Sequence, residues 1–168
     1  MNKVHRKHYL QLTDDNKALF EETEEFKKAI SRFYEEVKAF MTKMENRYDT
    51  YKQINIASET IPVALSEMEN NLLHTVTDYI KFANGLIGFL EQGVALNKEI
   101  AGYINTIKEG GEKMVSNNLT NKHCEKILDQ LEEGMQSLKK KFEQFKSDFA
   151  EKKLLLHQLS LLSDKLVS

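Results

Sequence analysis

Apolar residues recur along this chain in steps of three and four. From Phe26 the series runs through Ile30, Phe33, Val37, Phe40 and Met44. That is the spacing of a helical seam with a seven-residue repeat. The next position is Arg47, and Tyr48 and Tyr51 take over the apolar role, a four-residue stutter that relaxes a supercoil locally. A second seam reads Leu65, Met68, Leu72, Val76, Tyr79, Ala83, Leu86 and Leu90. It loses register near Gly93 and resumes as Leu96, Ile100, Tyr103 and Ile107. The third is the most regular. It runs Cys124, Leu128, Leu131, Met135, Leu138, Phe142, Phe145, Phe149, Lys152, Leu156, Leu159, Ser163 and Leu166, and only Lys152 and Ser163 break the apolar pattern.

These seams predict three helices, over about 14–55, 61–109 and 120–166. Thr13 is placed to cap the first, with Asp14 and Asp15 at the positive end of its dipole. Residues 1–12 read as a basic tail carrying Lys3, Arg6 and Lys7. Residues 53–60 read as the first connection. The single proline, Pro62, fits the first turn of the second helix. Gly110 and Gly111 are read as its end, with a polar loop following. Gly93, where the seam slips, predicts a kink or break in the central helix. Phenylalanines on two seams suit a bundle of three helices better than a two-stranded zipper. The expectation is therefore an all-α, elongated antiparallel three-helix bundle or coiled coil. It occupies 13–168 as one domain, in rods of roughly 60–70 Å at 1.5 Å per residue.

Composition narrows the functional classes. Among 168 residues, 24 Lys and Arg against 26 Asp and Glu leave a net charge of −2. Nucleic-acid-binding domains are usually strongly basic, so nucleic acid is not an expected partner. Charge is uneven along the chain: residues 13–52 hold 18 charges and residues 53–107 only 8. A helix apolar on several sides is usually covered on several sides, which places the second helix between the others. One cysteine, Cys124, implies a reducing compartment. No apolar run follows the basic N-terminus in the manner of an export signal. Together these give a cytoplasmic expectation.

Catalytic patterns are missing. Gly110-Gly111 lacks the strand and the Gly-Lys-Ser/Thr of a phosphate loop. No His-Glu-x-x-His, Cys-x-x-C or Gly-x-Ser-x-Gly is present. Asn71, Thr120 and Leu154 stand where a di-metal bundle needs glutamates, three residues before His74, His123 and His157. His74 and Asp78 share a helix face, which a hydrogen-bonded pair explains. No cofactor, metal or small-molecule substrate is expected, and no enzyme activity.

Two surface features remain. Beyond the seam, the C-terminal helix carries Leu154, Leu155, Leu161 and Leu162, an apolar face wider than a bundle position requires. Large exposed apolar patches mark interfaces, so these are the candidate interface residues for a protein partner or a second copy, with a dimer expected. Lys139, Lys146 and Lys153 repeat every seven residues beside Lys140, and this stripe is the candidate contact for an anionic surface. The expected function is a non-catalytic scaffold or assembly subunit. Three long helices, a cationic stripe and dimerisation are also similar to the architecture of BAR-type membrane-curvature domains. That resemblance implies a membrane surface as the alternative partner. Insertion of the uncharged stretch from Phe82 to Leu90 is the other membrane reading.

Overall fold

A computed structural model describes residues 2–57, 63–116 and 119–165, with the side chains of 54–57, 63–67 and 69 left out of the description. Three α-helices make up the fold: α1 (Lys3–Ala57), α2 (Val63–Ser116) and α3 (Asn121–Lys165). Pro62, Leu166 and the side chain of Leu65 lie outside what is described.

α1 begins earlier than the sequence suggested. Asn2 is its cap: its Oδ1 accepts the His5 backbone N–H at 2.8 Å, and its carbonyl accepts the Arg6 N–H at 3.0 Å. Residues 3–12 are therefore helix, not tail. Thr13 sits inside α1, where its hydroxyl donates to the Tyr9 carbonyl. The reason is that the seam extends upstream through polar side chains. His5, Leu12, Asn16, Leu19 and Thr23 are all buried, and with Tyr9 they continue the three-four spacing back from Phe26. At its other end α1 includes 53–57, the start of the expected connection.

α2 is continuous through Gly93, so of the expected kink or break the break is absent. The seam does not slip there. It reads Val76, Tyr79, Ala83, Leu86, Leu90, Gly93, Asn97, Ile100, Ile104, Ile107, Gly111 and Met114, and ten of these twelve are buried, Tyr79 and Ile104 being half-buried. A glycine and an asparagine on the seam gave the false impression of lost register. Met68, expected on the seam, is exposed. Gly110 and Gly111 do not stop α2, which runs on to Ser116. They let other residues approach. A Cβ on Gly111 would lie 2.6 Å from the Tyr9 ring, and one on Gly110 would lie 2.9 Å from Leu131 Cδ1.

α3 starts at a Thr120 cap, whose Oγ1 accepts the His123 N–H at 3.3 Å and whose carbonyl accepts the Cys124 N–H at 3.1 Å. Its seam matches the sequence reading. Every expected position from Cys124 to Phe149 is buried, as are Leu156 and Ser163. The two departures have partners. Lys152 Nζ lies 4.8 Å from the centre of the Phe89 ring. The Ser163 carbonyl accepts a hydrogen bond from Arg47, the polar residue at the α1 stutter.

The helices form two compact units, and each helix contributes to both. Unit 1 comprises Met1–Ala29 and Gln92–Asp148; unit 2 comprises Ile30–Glu91 and Phe149–Ser168. In unit 1, α1 and α3 run parallel: His8 meets Glu132 and Lys146 meets Glu22. α2 runs antiparallel to them, with Asn97 on Thr23 and Gly111 on Tyr9. Unit 2 has the same directions. The Phe33 and Phe149 rings stack edge to face at 5.2 Å, His157 stands 3.6 Å from Glu36, and Phe40 lies beside Tyr79.

Candidate functional site

Among the described residues, four of the nine exposed large apolar side chains lie in the C-terminal turns of α3, in unit 2. Leu154 is 58% exposed, Leu155 40%, Leu161 66% and Leu162 49%. Leu156 and Ser163, on the opposite side of the same turns, are buried. The reason is geometric. At 3.6 residues per turn, Leu154 and Leu161 share one stripe and Leu155 and Leu162 another. Exposed Gln158 lies between the stripes. The four leucines thus face away from the core that Leu156 fills.

The lysine stripe is partly committed. Lys146 bonds Glu22 at 2.9 Å and Glu143 at 2.8 Å, and lies over the Phe142 ring at 4.7 Å. Its ammonium is held charged to higher pH than an ordinary lysine, first by the Glu143 hydrogen bond and then by that to Glu22. Lys139 and Lys153 are half-buried and Lys140 is exposed. Lys139, Lys140 and Lys146 belong to unit 1 and Lys153 to unit 2. A neighbouring lysine, Lys141, pairs with Glu99 at 3.2 Å. Ion pairs on a solvated face contribute little, about 0–1 kcal/mol each.

The stretch from Phe82 to Leu90 supplies core. Ala83, Leu86 and Leu90 are buried, and Phe82, Ile87 and Phe89 are half-buried. Among the described residues, no helix is long and apolar enough to cross a membrane. No cluster of three or more metal-ligating side chains occurs among them either. His74 and Asp78 are both exposed.

Unit 1 contains polar chemistry that an apolar seam does not reveal. Asn97 Nδ2 donates to Thr23 Oγ1 at 3.0 Å inside the core, and Thr23 donates in turn to the Phe20 carbonyl at 2.9 Å. Asn16 is 2% exposed and its Oδ1 has no hydrogen-bond partner. An unsatisfied buried polar atom costs about 1–3 kcal/mol. The Tyr103 hydroxyl donates to the Leu131 carbonyl at 2.6 Å, where Gly134 makes room for it. Burial raises the Tyr103 pKa, and the Glu132 carboxylate adds to the rise. A signal for these residues was present in the sequence: Asn16, Thr23 and Asn97 fall on seam positions, and Gly134 interrupts a run of strong helix formers.

The fold and its surfaces define an all-α three-helix protein with an apolar face at one end of α3. Comparison with family models, curated proteins and solved structures finds no match to this chain.

Proposed function

We propose that the chain is a non-catalytic assembly protein that self-associates through the C-terminal face of α3. The observation that carries this reading is the exposure of Leu154, Leu155, Leu161 and Leu162. Their arrangement favours a second copy as the occupant. Two α3 helices laid antiparallel about a two-fold axis at Gln158 bring Leu154 of one copy against Leu162 of the other. The same operation brings Leu155 against Leu161, and Glu151 opposite Lys165. A patch that reads the same in both directions is what an isologous interface requires.

Four leucines a side cover less than the ~800 Å² per partner of a standard stable interface. Association is therefore weak, near a micromolar Kd, or about −8 kcal/mol. Sedimentation equilibrium from about 1 to 100 µM tests it. The chain dimerises over that range. The double variant Leu155→Glu/Leu162→Glu stays monomeric with unchanged helicity, because both side chains already face solvent. A wild type that is monomeric at about 100 µM overturns the reading.

A further inference from the structure

The first turns of α1, in unit 1, present a face that the core does not use. Lys3, Val4, Arg6, Lys7 and Leu10 are exposed there, while His5 and Leu12 are buried. Val4 is 74% exposed and Leu10 52%. At 3.6 residues per turn these two stand about 120° apart round the helix, with Lys3 and Lys7 between them and Arg6 on the far side of Leu10. Val115, also exposed at the end of α2, lines a hollow of about 400 Å³ with Tyr9, the residue before Leu10. Three of the nine exposed large apolar side chains among the described residues therefore gather at this end of unit 1.

Charge is segregated at the same place. Residues 2–12 hold Lys3, Arg6 and Lys7 and no acid, whereas the rest of the chain has 21 Lys and Arg against 26 Asp and Glu. The neighbouring helix ends leave this excess standing. On α2, Lys108 and Lys113 are matched by Glu109 and Glu112; on α3, Lys122 and Lys126 are matched by Glu125 and Asp129. No acid occupies the first turn of α1. Cations at that end oppose the positive pole of the helix dipole and weaken the helix. The cap and the seam need none of them, since Asn2 caps the helix and His5 and Leu12 fill the core side. An anionic partner offsets that cost.

We propose that this face docks on the surface of an anionic lipid bilayer. Lys3, Arg6 and Lys7 meet the headgroup phosphates, and Val4 and Leu10 enter the boundary between headgroups and acyl chains. The arrangement suits a bilayer better than a folded protein or a nucleic acid. A protein interface concentrates its energy in a contiguous packed centre, and here cations separate the apolar side chains. A nucleic-acid backbone takes the cations and gives exposed Val4 and Leu10 no apolar phase. A bilayer interface accepts apolar side chains singly while its negative surface attracts the charges around them. The site lies on α1 in unit 1, and nothing in it depends on the leucine face of unit 2.

Cosedimentation of the full chain with vesicles of phosphatidylcholine and phosphatidylglycerol in roughly equal parts, at low salt, tests the proposal. The chain binds these vesicles, and pure phosphatidylcholine vesicles at least about tenfold more weakly. Raising the salt to about 0.5 M releases it. Lys3→Gln/Arg6→Gln/Lys7→Gln weakens binding roughly a hundredfold, at about fivefold per cation. Val4→Ser/Leu10→Ser weakens it about tenfold. All five changes are at exposed positions, so circular dichroism stays that of the wild type. Leu155→Glu/Leu162→Glu still binds. A wild type that stays in solution, or a cation variant that binds as the wild type does, overturns the site. So does a leucine-face variant that loses binding while the cation variant keeps it. Unchanged binding by Val4→Ser/Leu10→Ser, or release from the vesicles by duplex DNA at equal phosphate, overturns the bilayer as the partner.

Discussion

In unit 1, Asn97 reaches Thr23 inside the core, and the Tyr9, Tyr103 and Phe145 rings occupy space left by Gly111, Gly134 and Gly93. In unit 2 the comparable layers are Phe33 on Phe149 and Phe40 beside Tyr79, and the two glycines, Gly85 and Gly88, have nothing within 4 Å of a Cβ. Unit 1 buries His5, Asn16, Thr23 and Asn97; among the described residues of unit 2, Ser163 is the buried polar one. The same three helices therefore use two ways of fixing their register. Unit 1 uses hydrogen bonds and fitted rings, which penalise any slip because a misplaced polar group loses its partner. Unit 2 uses apolar bulk, which contributes more burial and discriminates less between neighbouring alignments. The unit with the less selective core is also the one with the exposed leucines.

The largest effect expected from this contrast is in unit 2. Phe33, 1% exposed, loses burial and leaves a cavity when truncated, so Phe33→Ala costs about 3–5 kcal/mol. Urea unfolding measures it, and a loss below about 1 kcal/mol removes the apolar account of that unit. In unit 1, Asn97→Ala costs about 1–3 kcal/mol, whereas Thr23→Val with Asn97→Leu recovers most of it by removing both polar groups. If the pair fixes register, the double variant keeps its stability and shows broadened amide resonances. Sharp, fully dispersed resonances count against that role.

One substitution separates the units by sign. Gly93→Ala drives a Cβ into the Phe145 ring. Overpacking of about 1–3 kcal/mol outweighs the roughly 1 kcal/mol gained in helix propensity. Gly88→Ala meets open space and stabilises by about 0.5–1 kcal/mol. Melting temperatures that move in the same direction erase the distinction. The smallest effect is electrostatic. Lys43, first by its hydrogen bond and then by its charge, holds the exposed Asp164 carboxyl below its ordinary range, with Arg47 adding to the effect. A carboxylate with a lowered folded pKa stabilises above its unfolded value, and that contribution fades as pH falls through the folded one. Asp164→Asn accordingly lowers the neutral plateau slightly and flattens the acid limb, so that urea unfolding of variant and wild type converges as pH falls below the ordinary carboxylate range.

The residues that carried apolar signal were readable in the sequence. The α3 seam from Cys124 to Phe149 and the α1 seam from Ile30 to Met44 are buried as their spacing requires. The failures share one cause. Where a seam position holds His5, Gly93 or Asn97, the apolar pattern has a gap, and such a gap reads as a tail or a break. The Gly110-Gly111 pair predicts a helix end because chain reversal is the commonest use of such glycines. Here Gly111 makes room for Tyr9, a contact between residues 102 positions apart that local spacing does not encode. The leucine face was legible as surplus, since one seam cannot absorb Leu154, Leu155, Leu161 and Leu162.

Cys124 is the chain's single cysteine and is fully buried in the first turn of α3. That makes the thiol a clock. A thiol reagent reaches it only while that turn is open. The ratio of its modification rate to that of the denatured chain gives the opening equilibrium directly. When closing outpaces modification, the clock reads a population; when modification outpaces closing, it reads a rate of opening. The Thr120 cap sets how fast it runs. Thr120→Ala removes about 1 kcal/mol of capping, and about 1.4 kcal/mol is a factor of ten, so modification quickens roughly fivefold. Paired with global unfolding of the same variant, that rate distinguishes fraying of one helix end from loss of the whole unit.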